Sequence, residues 1–350
     1  MKSMRALVIV LVMMLLGGII GLGPTACKNN RQAVLDCHKD DSVVYEYVSE
    51  NGDNDVYGEV DTVCDEHEFP DRRSWQHLSA DSTYLPGFVP YHYDATANFS
   101  EGVSYDITVD FPKRTVNHRD AITKWLIGRI ENSQDQHSEV PPLNAIYIGY
   151  AKKSNTGWHY DGDIHHYKRI CKFASDVYFA MVKSEYSMNE MDFPGSLFST
   201  LCLKAYMNND RFVTYQQYTH GYDGGAHGYY TEKLLSYDHV HKQEIDYKYL
   251  FNDDYVEQII ALLIEEAKKS PDYEKWNPDI EQYTCVKDEN GKTTGLHKLP
   301  HPGLSNEGVV FSFQPYEISC FAAGAFHFTI PYERLRPYLT ERANWCVNIE

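Results

Sequence analysis

Several stretches of the chain alternate apolar and polar positions with a period of two. Between Val103 and Phe111, the side chains of Val103, Tyr105, Ile107 and Val109 fall on one face and Pro112 closes the run, which predicts a strand with one buried side. Ser196–Met207 and Arg211–Tyr218 read as two more strands joined by Asn208-Asn209-Asp210, a hairpin signal. Lys233–Tyr237, Gly308–Phe313 and Gly324–Ile330 are further strand segments, the last ended by Pro331. A shorter Val/Tyr-rich run, Ser42–Val48, leads into the turn Asn51-Gly52-Asp53-Asn54.

Helical spacing appears elsewhere. Ala121, Ile122, Trp125, Leu126 and Ile130 make one stripe over about His118–Ile130, with Asn117 as N-cap. Ile170, Phe173, Val177 and Met181 mark a helix within Asp163–Val182. Val256, Ile259, Ile260, Leu263, Ile264 and Ala267 predict a helix opened by Phe251-Asn252-Asp253-Asp254. A short helix at Glu333–Leu339 closes the pattern. Residues 65–102, with Pro70, Pro86, Gly87 and Pro90, and residues 270–305, with four prolines, are expected to be mostly loop. Strands that pair through hairpins, with helices inserted rather than alternating, predict an α+β fold with a mainly antiparallel sheet and a few packed helices. The expected organisation is a small α+β domain over 41–140, a connecting helical segment over 141–195 and an α+β domain over 196–345.

One connector stands apart. Tyr218-Thr219-His220-Gly221-Tyr222-Asp223-Gly224-Gly225-Ala226-His227-Gly228-Tyr229-Tyr230 holds four glycines and two histidines between strand-like flanks. Glycines there allow positive φ or close backbone approach, at an entropic cost that an ordinary linker avoids. The connector therefore reads as a shaped strand connection presenting His227. Its candidate ligand-binding residues are Tyr218, Asp223, Gly224, Gly225, His227 and Tyr229.

Composition narrows the classes. Apolar residues at 43% and aromatics at 14% belong to a globular protein, and the net charge of −18 argues against nucleic acid and for a cationic partner. Tyrosine, present 28 times, suits half-buried sheets and wet binding surfaces. At the N-terminus, Lys2 and Arg5 precede an apolar run from Ala6 to Leu22, then Pro24-Thr25-Ala26-Cys27. That is the layout of a secretory signal, and the cysteine after small residues resembles a bacterial lipoprotein signal, although Pro24 stands where leucine is usual. The expectation is a signal peptide over 1–26, lipid on Cys27, a tether over 27–40, and an exported, membrane-anchored protein of the bacterial cell envelope. A plain signal or an uncleaved anchor is the alternative, since such a run approaches the roughly 18 apolar residues that begin to span a bilayer. Apart from Cys27, the cysteines are Cys37, Cys64, Cys171, Cys202, Cys285, Cys320 and Cys346; none forms a CxxC, and Cys202 and Cys320 fall in apolar runs suited to buried thiols.

The order of motifs resembles a known family. The Tyr-xxx-Asp-Gly-Gly-Ala-His-Gly connector, the helix that follows Leu250-Phe251, Gly308-Val-Val-Phe-Ser-Phe-Gln-Pro-Tyr-Glu-Ile and Gly324 to Pro331-Tyr332 are similar to the extracytoplasmic domain of the lysozyme-binding anti-sigma factor RsiV. The same domain accompanies the catalytic part of the peptidoglycan deacetylase PdaC. The resemblance covers about residues 196–340 and, more weakly, Val103–Ile130. It implies a binding domain whose partner is a protein such as lysozyme or a cell-wall glycan. With Met1 to Arg5 ahead of the apolar run, the expectation is a tethered domain without a sigma-binding segment.

Against sharper chemistry stand plainer readings. His227 with Asp223 could supply a hydrolase or deacetylase, or His227 could order its own turn and Asp223 cap its own backbone. His239-Val240-His241 would place two imidazoles on one strand face, half a metal site. Asp161-Gly162-Asp163 is a fragment of a calcium loop without its closing glutamate. No phosphate-binding loop, Gly-x-Ser-x-Gly or His-Glu-x-x-His occurs, so no catalytic, metal or cofactor residue is assigned. A tyrosine-lined groove for glycan is the other open reading.

Overall fold

The computed structural model describes residues 45–47, 56–58, 85–100, 102–133, 151–154, 157–189, 196–287, 293–297 and 299–348. The predicted signal, the tether and Cys27 lie outside the described residues, all of which fall in one unit, Val43–Glu350. In chain order the first elements are β1 (Tyr45–Tyr47), β2 (Val56–Gly58), β3 (Phe88–Thr96), β4 (Val103–Pro112), α1 (Arg119–Ser133), β5 (Ala151–Ser154), β6 (Gly157–Tyr160) and α2 (Tyr167–Asn189). There follow β7 (Leu197–Asn208), β8 (Phe212–Tyr222), β9 (Tyr229–Asp238), β10 (Gln243–Glu244), α3 (Tyr247–Leu250), α4 (Val256–Ala267), α5 (Pro271–Trp276) and α6 (Ile280–Thr284). The chain continues through β11 (Cys285–Lys287), β12 (Thr293–His297), β13 (Pro302–Leu304), β14 (Gly308–Phe313), β15 (Phe326–Pro331), α7 (Tyr332–Leu335) and α8 (Glu341–Val347).

A six-stranded sheet runs in the order β10-β9-β8-β7-β4-β3. Every neighbouring pair is antiparallel except β4 and β7, which are parallel from Val103↔Leu197 to Val109↔Leu203. A parallel pair needs a long crossover, and this one carries α1, the β5–β6 hairpin and α2. The sheet thus draws strands from both the 41–140 and the 196–345 stretches. The fold is α+β with a mainly antiparallel sheet.

The helices cover one face. Val103, Tyr105, Ile107, Val109 and Phe111 of β4 are buried there with Ile122, Leu126 and Ile130 of α1 and Ile170 and Ala174 of α2. Each of the buried Val, Ile, Leu and Phe side chains contributes about 1.5–3 kcal/mol over an exposed position. Phe111 stacks on Tyr167 at 4.0 Å, and Trp125 on Tyr237 at 5.1 Å. Against the opposite face packs a three-stranded antiparallel sheet, β13-β14-β15, whose Phe311, Phe313, Phe328 and Ile330 form a second core with Ile259 and Leu263 of α4. The sheets meet where β13 crosses β9. A Cβ on Gly303 would lie 2.2 Å from Leu234 Cβ, Leu304 N donates to Ser236 Oγ at 2.8 Å, and Leu234 packs on Val310.

Three expectations are corrected. The stretch 65–102 contains β3, a nine-residue strand paired with β4 and including Pro90. Because β3 is the edge strand of this sheet, a residue without an N–H is tolerated. The stretch 270–305 carries α5, α6 and β11–β13, elements too short for a periodic pattern to reveal. Cys320 is exposed just before a 3-10 turn rather than buried in a strand. Predicted helix limits also shift: the second helix runs Tyr167–Asn189 rather than from Asp163. Among the described residues no helix is long and apolar enough to cross a membrane.

Candidate ligand-binding groove beside the glycine-rich connector

Register defines the site. On the face that α1 and α2 cover, β8 and β9 oppose Val213 to Tyr237 and then Tyr215 to Leu235, all buried. The next rows on that face are Gln217 opposite Lys233, Thr219 opposite Thr231, and Gly221 opposite Tyr229. β7 carries Leu203, Leu201 and Ser199 in those same rows. Positions whose parity faces the core therefore change from apolar to polar along one hairpin. There the helices and the sheet enclose a groove of about 390 Å³. Arg129 and Asn132 of α1, Tyr178 and Glu185 of α2, and Gln314 with Pro315 after β14 complete its wall.

Lys233 and Gln217 form the deep end. Gln217 is 9% exposed, and neither its side chain nor that of Lys233 has a hydrogen bond or ion pair among the described residues. Burial, and after it the Arg129 charge, push the Lys233 ammonium below its ordinary range, while Glu244 and Glu317 act the other way. Those two carboxylates have donors of their own. Glu244 takes Arg129 at 3.0 Å and His301 at 3.4 Å, and Glu317 takes Gln314 N at 2.7 Å. In the next row, Thr219 and Thr231 share a hydroxyl hydrogen bond.

The connector shapes the other end. Gly224 and Gly225 both have left-handed φ, +95° and +97°, a conformation other residues adopt at a cost. Tyr222 donates its hydroxyl to Gly225 O at 2.8 Å, closing the turn. Gly221 serves a different need: the Tyr229 ring lies across it, and a Cβ there would sit 2.4 Å from Tyr229 Oη. The Tyr229 hydroxyl reaches Ser199 and Asp223, and burial together with the Asp223 charge pushes its phenol up to about 12.

Of the residues singled out from sequence, Asp223 and Tyr229 line the groove. Gly224 and Gly225 are not among its lining residues; they shape the turn that follows Asp223. Tyr218 belongs to the opposite face of the hairpin, where it stacks on Tyr230 at 6.3 Å. His227 stands outside the groove, on Phe321 at 4.5 Å. Its Nδ1 donates to Gly228 O at 2.7 Å, which leaves Nε2 to accept the Tyr316 hydroxyl at 3.0 Å. Both imidazole nitrogens are thereby occupied, and Asp223 is turned to Tyr229 instead. His239 and His241 are not on a strand face. They sit in the β9–β10 turn, His239 donating from Nε2 to Asn209 O at 2.9 Å and His241 paired with Asp238 at 2.7 Å.

Sequence reading missed Arg129, Gln217, Thr219, Thr231, Lys233 and Gln314. The signal was the parity of Gln217 with Tyr215 and of Lys233 with Leu235, polar side chains in core-facing positions.

With this geometry in place, the chain can be set beside known proteins. Residues 248–333 match the family DUF3298, described as a protein of unknown function. The DUF3298 stretch holds the second sheet, Gln314 and Tyr316, while Arg129 and Lys233 precede it. No curated protein matches the chain. A DUF3298 family member from Bacteroides fragilis NCTC 9343 is 18% identical with a TM-score of 0.46, over 73% of this chain and 93% of that one. A DUF3298 family protein from Pseudomonas aeruginosa PAO1 is 12% identical with a TM-score of 0.40, over 73% and 94%.

Proposed function

We propose that this protein is an RsiV-like binding lipoprotein of the bacterial cell envelope, held by lipid on Cys27, that takes a wall-derived ligand in the groove beside Tyr229. The observation that carries this reading is the run of polar rows, Gln217–Lys233 and Thr219–Thr231, on a face that is otherwise core. Thr219 and Thr231 bond one another, whereas the Gln217 and Lys233 side chains have no partner among the described residues, and polar groups in such positions cost stability unless something bonds to them. Hydroxyls, carboxamides and tyrosine rings together are the chemistry of sugar and peptide recognition. The reading is non-catalytic, since His227 and Asp223 do not face one another and each is engaged elsewhere. Co-sedimentation with insoluble peptidoglycan tests it. Retention that falls at least tenfold in Thr219→Val/Lys233→Met agrees with it, and retention unchanged in that variant contradicts it.

A basic protein such as lysozyme is the second reading, supported by the net charge of −18. It predicts saturable binding that weakens with salt and is indifferent to Lys233→Met.

A further inference from the structure

We infer that the ligand of this groove carries a carboxylate, seated on Lys233 and Gln217. The inference rests on the groove being the ligand site. Three observations lead to it. First, Lys233 is a largely enclosed cation with no ion pair within 4 Å among the described residues, although this chain is strongly acidic. The nearby carboxylates, Glu244 and Glu317, are already engaged by Arg129, His301 and the Gln314 amide. Second, Gln217 stands directly opposite on β8, nine-tenths buried, with a carboxamide that can donate to the same anion. Third, the charges along the groove are sorted. Arg129 acts on Lys233 at one end, whereas Asp223 is bound to Tyr229 at the other, four residues or about 14 Å along β9. Glu185 of α2, which has an interaction of its own, also borders the groove and keeps it from being a general anion sink. A carboxylate arriving at Lys233 restores the ammonium that burial and Arg129 disfavour. The groove, at about 390 Å³, admits a sugar or a dipeptide rather than a long polymer segment.

A carboxylate of this size comes from a wall sugar or from a peptide C-terminus, and three probes separate the sources. N-acetylmuramic acid and N-acetylglucosamine differ by a lactyl carboxylate, and N-acetyl-D-alanyl-D-alanine supplies the peptide form. Each is titrated into the purified full chain, and into Lys233→Met and Lys233→Arg, by calorimetry at millimolar ligand. The expected result is binding of N-acetylmuramic acid or of the dipeptide, roughly tenfold or more tighter than N-acetylglucosamine. Lys233→Met, which keeps the stem and so the packing, erases that difference, and Lys233→Arg retains most of it. Whichever probe wins names the source. Equal binding of both sugars, undisturbed by Lys233→Met, overturns the carboxylate while leaving the groove as the site. Binding of none of the three overturns both.

Discussion

Gln314 stands in for a missing strand at Glu232. Its Oε1 accepts Glu232 N at 2.8 Å and its Nε2 donates to Glu232 O at 2.7 Å, the two bonds a neighbouring residue would make. β10 pairs with β9 only at Asp238 and Tyr237, so the outer edge of β9 beside the groove is closed by a side chain 82 residues away. Glu232 also reaches His327, whose Nδ1 is bonded to Ser312. One network thus ties the groove-bearing hairpin to the DUF3298 stretch.

Replacing Gln314 with alanine leaves both peptide groups of Glu232 without partners. We expect a loss of about 1–3 kcal/mol, read as a lower urea midpoint with an unchanged slope. An unchanged midpoint contradicts the closure.

Gly221 is required by the ring that crosses it. Gly221→Ala places a Cβ against Tyr229 Oη and Phe198 O, 2.4 and 2.8 Å away before relaxation. The variant is expected to lose about 1–3 kcal/mol and to displace Tyr229, seen as a changed tyrosine near-ultraviolet signal. Gly225→Ala meets no atom, but its φ of +97° makes it costly for the backbone alone. A Gly221→Ala protein as stable as the parent contradicts the packing.

Asp110 gives stability a pH dependence. It is 2% exposed, its Oδ2 accepts Ala205 N at 2.9 Å where β7 slips register, and burial raises its pKa from 3.8 to about 6. A folded-state carboxyl that holds its proton more tightly than the unfolded one contributes stability below the unfolded pKa, and that contribution is lost as pH rises to about 6. Ionising it costs about 3 kcal/mol at neutral pH. Stability of the parent should fall between about pH 4 and 6 relative to Asp110→Asn, measured by denaturant midpoints across that range. Parallel pH profiles of the two proteins contradict the assignment.

How far the sequence reveals this molecule depends on the kind of signal each part needs. The helix at Val256–Ala267 and the β7–β8 hairpin show in the sequence, because their apolar periods are local and long. Strand β3 does not, since Pro90 is tolerable only at a sheet edge and edges are a property of the whole sheet. The glycine connector is recognisable, and its backbone does form a tight turn, yet its histidine stands outside the groove. The groove residues were hidden for another reason. Lys233 and Gln217 look like ordinary outward positions until Leu235 and Tyr215 fix which parity faces the helices. Gln314 comes from a different sheet and only three-dimensional packing brings it there.

Ligand is expected to enter between β7–β9 and the two helices. Hydrogen–deuterium exchange of the purified full chain, with and without solubilised peptidoglycan fragments, addresses it directly. Slowed exchange is expected in peptides covering 217–233 and 129–132, with α4 and α8 unchanged. Protection confined to other surfaces in the presence of bound fragments, or none at saturating fragment, would contradict it.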